Sequence, residues 1–238
     1  MIYSSSIIKK GKLRRSKYNN IILDNIKITG DYGLHFAFYR CTGITGNVSF
    51  TELTSIGTQG LYYAFYLCTG ITGSVSFPKL TSIGRSGLSN TFYGCTGITG
   101  NVSFPKLISI GTYGLSSAFN GCTGITSVSF PELTSIGSSG LFYAFYNCTR
   151  ITGSVSFPKL TSIGSDGLSN AFNRCTGITS VSFPELTTIN ANSLNTAFQN
   201  CTNMTEIHFR SDAQSTVEAA TGYSSKFGAS NATVYFDL

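Results

Sequence analysis

The 238-residue chain is 41% hydrophobic but only 11% charged, with 26 glycines and no tryptophan, so its surface has to be built mainly from hydroxyls and amides. Its formal charge of +6 sits in the first 27 residues, where Lys9, Lys10, Lys12, Arg14, Arg15, Lys17 and Lys27 face only Asp24; from residue 28 onward nine basic side chains balance nine acidic ones. That excludes a basic stripe tracking nucleic-acid phosphates along the body of the chain, and the lack of any apolar run of about 18 residues excludes a membrane span.

Residues 1–33 read as a basic N-terminal arm and cap. Met1 to Ile8 offers no sustained apolar core after a basic start, so no signal peptide is expected. Ile21-Ile22-Leu23 and Ile26-Lys27-Ile28 are expected to cover the open end of a core. The arm itself fits a solvated segment, or a contact to an acidic partner or membrane surface.

From 34 to 209 the chain repeats itself. Cysteines at 41, 68, 95, 122, 148, 175 and 201 recur every 26 or 27 residues, each closing a copy of I-T-(G)-x-V-S-F-P-x-L-T-S-I-G-x-x-G-L-x-x-A-F-x-x-C-T-G. A period this regular implies one supersecondary unit stacked on itself, here predicted as a right-handed single-domain solenoid. In Ile71 to Phe77, Val75 and Phe77 alternate with Ser74 and Ser76, the mark of a strand with one buried face. Pro78 ends it, and Leu80 to Gly84 follows as a second short extended piece. Where 26-residue copies read I-T-S-V-S-F, the 27-residue copies carry one more residue before Val; a bulge there keeps Val and Phe inward.

In Gly60 to Cys68 the repeated residues Leu61, Ala64, Phe65 and Cys68 fall at i, i+3, i+4 and i+7, which predicts one face of a two-turn helix with Tyr62, Tyr63, Tyr66 and Leu67 outward. Seven parallel strands starting near 44, 71, 98, 125, 151, 178 and 204 would span on the order of 30 Å. Helices are wider than strands, so that side should splay and bend the stack into an arc. The cysteines read as a column of buried thiols, because no C-x-x-C spacing suits a metal. Beyond 209, Asp212 to Ala220 is expected as a capping helix and Ala232 to Phe236 as a closing strand, so that residues 210–238 form a C-terminal cap.

Phrases such as Ala118-Phe119-Asn120-Gly121-Cys122-Thr123, then Ile125 to Pro131 and Leu133 to Gly137, resemble the BspA-like subfamily of leucine-rich repeats. The resemblance covers about 175 residues. It implies an α/β repeat solenoid, a leucine-rich-repeat arc with a parallel β-sheet and short helices, capped at both ends. It also implies a binding module that is extracellular or surface-displayed, often adhesin-like; without a signal peptide, association with a virion is a further expectation.

Chemistry finds little footing. His35 and His208 lie about six coils apart, no carboxylate pair recurs, and no phosphate loop, nucleophile elbow or zinc signature occurs, so no enzyme, cofactor or metal site is expected. Glu132 and Glu185 alternate with Lys79, Lys106 and Lys159 as a solvated ladder. Recognition has the better case. Outward positions are the least copied, running from His35-Phe36 and Tyr62-Tyr63 to Ser89-Asn90, Ser116-Ser117, Phe142-Tyr143 and Ser169-Asn170. Tyr, Ser, Asn and Gly are the adaptable contact residues of antibody loops. One candidate patch comprises Tyr39, Tyr62, Tyr63, Tyr66 and Tyr93, a second Phe142, Tyr143 and Tyr146, for a protein or glycan partner; the alternatives are rings that merely shield neighbouring coils, and a structural spacer or assembly protein without a ligand. A second, hydroxyl-rich candidate face carries Ser49, Ser76, Ser103, Ser129, Ser156 and Ser182.

Overall fold

Alternation of apolar and small polar residues puts the first segment of every coil in a strand. The computed structural model describes residues 12–15, 21–24 and 31–238, and we number its coils by the cysteine that closes each, from Cys41 (coil 1) to Cys201 (coil 7). Strands Gly46–Ser49, Ile71–Ser76, Ile98–Ser103 and Ile125–Ser129 pair in parallel and in register, Val48 on Val75 on Val102 on Val128. Thr152–Ser156, Gly177–Phe183 and Glu206–Phe209 continue with Val155 on Val181 on Ile207. These valines and the phenylalanines two residues on are interior, as expected. Register shifts follow Gly46, Gly73, Gly100 and Gly153. These glycines have φ of 76–84°, so the extra residue of the longer copies is absorbed in a left-handed bulge.

The second side of the prism is a six-stranded parallel sheet of two-residue strands, from Ser55–Ile56 to Thr188–Ile189, with Leu and Ile pointing inward. Among the described residues, helix occurs only beyond the repeats, at Gln214–Glu218 and in a 3-10 turn at Tyr223–Gly228.

The third side corrects the expected two-turn helices. Its residues form a ladder of turns in which alternate N–H groups bond in two directions. Tyr62, Ala64, Tyr66 and Cys68 donate to the carbonyl three residues back, whereas Gln59, Leu61, Tyr63, Phe65 and Leu67 donate to the next coil, at 2.7–3.1 Å. Every fourth residue is left-handed, as at Gln59, Tyr63 and Leu67 with φ of 53–56°. A four-residue turn repeat brings i, i+3, i+4 and i+7 to one side just as a helix does, so Leu61, Ala64, Phe65 and Cys68 are buried as foreseen. A helix would spend its N–H groups on itself; the ladder uses half of them to join neighbouring coils. It also removes the width mismatch that would splay the stack. Stacked phenylalanine rings advance 5.1–5.8 Å per coil from Phe77 to Phe183 on the strand side and 5.3–5.5 Å from Phe65 to Phe172 on the turn side.

One seam interrupts the strand side, between Ile125–Ser129 and Thr152–Ser156, which belong to separate ladders. Two features set this junction apart: a longer copy, with its Gly153 bulge, follows a shorter one only here, and the corner after the cysteine differs. A Cβ added to Gly97 would lie 2.5 Å from the Ile71 carbonyl oxygen, and one on Gly177 2.6 Å from that of Ile151. Coil 6 carries Arg150 at this corner in place of glycine. Across the seam the Phe130 and Phe157 rings are 5.8 Å apart, and Val128 is 9% exposed where Val102 is sealed.

At the N-terminal end Ile21–Asp24 adds in parallel to Gly46–Ser49, and Lys12–Arg15 pairs antiparallel with it; the segment Ile26 to Ile28 lies outside the described residues. At the other end Thr233–Phe236 extends the sheet, Val217 of the short helix is buried, and the Phe227 carbonyl accepts the Phe198 N–H.

Truncating Phe119 to Ala should cost ~3 to 5 kcal/mol in denaturant unfolding. Gly97→Ala should destabilise by about 1–3 kcal/mol through overpacking. Arg150→Gly should do the reverse, adding about 1 kcal/mol and slowing amide exchange at Val128 and Val155 as the ladder closes.

Candidate functional site

Solenoid geometry turns each outward position of the turn ladder into a column running along the stack. One column reads Tyr39, Tyr66, Tyr93, Asn120, Tyr146, Asn173, a second Phe36, Tyr63, Asn90, Ser117, Tyr143, Asn170, and a third His35, Tyr62, Ser89, Ser116, Phe142, Ser169. Backbone bonds fix this order, for example Gly94 N–H to Asn120 O and Gly121 N–H to Tyr146 O.

The rings stack from coil to coil. Tyr39 lies on Tyr66 and Tyr66 on Tyr93, at 5.1 and 4.9 Å with planes within 16°. Phe36 lies on Tyr63 at 5.0 Å, and His35 on Tyr62 at 5.3 Å. All five residues of the first candidate patch therefore share one continuous aromatic surface. Tyr62, Tyr63, Tyr66 and Tyr93 are half-buried, largely against each other, while Tyr39 is exposed. Phe142, Tyr143 and Tyr146 form a separate cluster two coils further on, with centroids 4.6 and 5.3 Å apart. Burial pushes the Tyr63 and Tyr66 phenols above the ordinary range, helped by neighbouring phenols, so both stay neutral donors. Burial lowers the His35 pKa, favouring the neutral imidazole.

Three aromatic residues of these clusters occupy costly backbone positions. Phe36, Tyr63 and Tyr143 have φ of 54°, 56° and 54°, where the equivalent residues of other coils are Asn90, Ser117, Asn170 and Thr196. Asn tolerates that region far better than a bulky aromatic. Stability alone would not select tyrosine there.

Between the clusters the columns narrow to small residues, Ser89 and Asn90 in coil 3, Ser116, Ser117 and Asn120 in coil 4. Tyr66 covers one face of Tyr93. Two coils on, Tyr146 is backed by Arg174, whose guanidinium carbon lies 5.7 Å over the ring. Asn120 holds the place between Tyr93 and Tyr146 in their column. Further along, Asn173 links to Asn170 and Gln199 at 2.9 and 3.1 Å, an amide network in place of rings.

Sequence reading singled out the rings but not the two arginines of coil 6. Arg150 breaks the C-T-G copy and Arg174 an outward pair; both are exposed, and among the described residues neither lies in an ion pair. Ile108, 49% exposed in a column otherwise threonine, and Tyr113, 44% exposed, are further departures from the copy.

On the strand side the serine column is in register and partly self-bonded, Ser49 to Ser76 and Ser182 to Ser156 each at 3.0 Å. It ends in His208, which sits 2.9 Å from Asp237 and 3.4 Å from Glu206 and stacks on Tyr235. The charge ladder contains Lys79–Glu52 and Lys159–Glu132 pairs at 2.7 and 2.6 Å, exposed and worth ~0–1 kcal/mol each.

Six cysteines are buried, and each thiol from Cys68 to Cys201 donates to a phenylalanine carbonyl of the preceding coil at 2.9–3.1 Å. Burial pushes Cys68 and Cys201 up to about 12 and raises the thiols between them well above the ordinary range, so none is a ready nucleophile. Cys41 is exposed. Among the described residues no His, Cys, Asp and Glu group is arranged to hold a metal ion, and no helix is long and apolar enough to cross a membrane.

The family model for the BspA type leucine rich repeat region matches at residues 34–165, 61–192 and 115–226. No curated protein matches the chain. Among solved structures, a leucine rich cell surface protein from Faecalibacterium prausnitzii A2-165 is 19% identical over 88% of this chain and 54% of its own, with a TM-score of 0.41. A leucine-rich repeat protein from Bacteroides ovatus ATCC 8483 is 18% identical over 86% of this chain and 63% of its own, with a TM-score of 0.29. The chain thus spans about half to two thirds of the length of these structures.

Under native conditions a thiol reagent should label Cys41 alone, and all seven cysteines only after unfolding. His208 provides a pH test. Burial pulls its pKa down, but hydrogen bonds and charge from Asp237 and Glu206 outweigh this and raise it above 6.5. Its contribution to stability is therefore complete below about pH 6.5 and lost as pH rises through the elevated folded value. Imidazole titration by NMR should show the elevation, and Asp237→Asn should reduce it.

Proposed function

Because the chain belongs to the BspA-type leucine-rich repeat family, we propose that it is a non-enzymatic recognition or adhesion module whose turn-ladder face binds a protein or glycan partner. The observation that carries this reading is the placement of Tyr63 and Tyr143, with Phe36, at left-handed positions where coils 3, 4 and 6 use Asn or Ser. A ring held at backbone cost, outside the core, points to use at the surface. Tyr39, Tyr62, Tyr66 and Tyr93 complete one contact patch and Phe142 and Tyr146 the other. Half-buried, mutually stacked rings lose little further freedom on contact, which suits them as anchors. Display at a cell surface, in the extracellular space or on a virion accords with this role, as does the neutral body of the repeats.

The core beneath these rings is carried by Leu61, Ala64, Phe65 and Cys68, so outward substitutions should spare it. Replacing Tyr62, Tyr63 and Tyr66 together with Ser should leave cooperative unfolding in place and weaken retention on a protein or glycan array by about tenfold or more. Equal retention by the variant would reject the patch; a wild-type chain that retains nothing on either array would favour a spacer or assembly role.

A further inference from the structure

We propose that the closing strand Thr233–Phe236 is a docking edge for a second copy of this chain, pairing antiparallel with the same strand of that copy to give a two-fold dimer. The proposal stands apart from the recognition reading and uses none of its residues.

An edge strand offers a row of unpaired N–H and C=O groups, and soluble proteins blunt such rows with charge, proline or a covering element. The two ends of this solenoid differ in that respect. At the N-terminal end the outer strand is Lys12–Arg15, with three basic residues in four. At the other end it is Thr233-Val234-Tyr235-Phe236, which has no charge and no proline and consists of good strand formers. This strand ends its sheet, with Glu206–Phe209 on one side and no described residue paired on the other.

The groups left over match one another. Register sets Thr233 on Glu206 and Tyr235 on His208, and the Thr233 N–H donates to Thr205 O at 2.8 Å. Successive residues of a strand direct their backbone groups to opposite edges, so Val234 and Phe236 turn theirs to the open edge. Under a two-fold axis at Tyr235, Val234 meets Phe236 of the second copy and Phe236 meets its Val234, each pair exchanging two bonds.

Side chains and charge agree with this register. Val234 and Phe236 are half-buried against the end of the core, and their counterparts would cover them. On the outer face Tyr235, 37% exposed, stacks on His208 at 4.9 Å; the axis sets the two Tyr235 side chains directly opposite each other, an aromatic cross-strand pair. Asp237 falls opposite Thr233 of the second copy rather than its own image, and His208 already engages it at 2.9 Å. A head-to-tail contact would instead set Lys12, Arg14 and Arg15 beside Thr233 to Phe236, with Asp237 alone to answer three cations. The two-fold dimer carries the strand-side sheet through both copies and offers two turn-ladder faces to a repetitive partner.

Sedimentation equilibrium of the full chain should show twice the 25.4 kDa monomer mass by about 0.1 mM. Tyr235→Lys sets like charges opposite each other and should weaken the dimer about tenfold or more, with circular dichroism and cooperative unfolding retained because the side chain lies at the surface. Cross-linking reads the register. In a Cys41→Ser background, which removes the exposed thiol, Tyr235→Cys should give a disulfide-linked dimer on oxidation with copper phenanthroline, since directly opposed residues outside the hydrogen-bonded pairs have Cα atoms ~4.5 Å apart. Thr233→Cys, which meets Asp237, should not. A chain still monomeric at that concentration, a dimer indifferent to Tyr235→Lys, or cross-linking through Thr233→Cys in place of Tyr235→Cys would each overturn the proposal. Growth beyond the dimer mass would overturn it in favour of head-to-tail stacking.

Discussion

Each coil satisfies its backbone by bonding to the next one, and that requirement sets the geometry of all three sides. Strands do it on two sides. On the third, the chain alternates turn bonds with inter-coil bonds, so that Leu61, Tyr63 and Phe65 hand their N–H groups to Gly87, Ser89 and Thr91. Left-handed residues every fourth position make this alternation possible, at ~1 kcal/mol or more each for residues with a Cβ. Inter-coil hydrogen bonds and the sealed phenylalanine stacks beneath offset that cost.

The same requirement shows where the stack is weakest. A glycine corner lets successive coils touch backbone to backbone, and at the junction where Arg150 replaces it and a longer copy follows a shorter one the strand ladder divides and the Phe130–Phe157 step is 5.8 Å. The turn side, which does not pass through that corner, keeps its bonds across the same coils, as Tyr143 N–H to Ser169 O and Phe145 N–H to Ala171 O show.

Much of this was readable in the amino-acid order. Val75 and Phe77 declare a strand face by alternation, and the extra residue of the longer copies sits where a bulge glycine is found. The inward set Leu61, Ala64, Phe65 and Cys68 was also legible, but its spacing does not distinguish a helix from a four-residue turn repeat. A finer signal was present: Ser86, Asn90 and Gly94, then Ser117 and Gly121, put residues tolerant of positive φ at four-residue intervals. Tyr63 and Tyr143 at the same positions hid it. The tyrosines of the candidate surface were visible as departures from the copy. That Tyr39, Tyr66 and Tyr93 stack face on face was not, because ring orientation depends on how neighbouring coils are placed. Arg150 was visible as a broken C-T-G, but its effect needed the close approach that only the stacked coils reveal.

Outside the seam between coils 5 and 6, the thiol ladder and the turn-side bonds make the coil junctions nearly the same, whichever coils meet there. A slip in copying the gene that duplicates or drops a whole repeat would therefore leave the interior intact while re-dealing the order of ringed, small and charged coils outside. Such a chain can change what it grips without relearning how to fold.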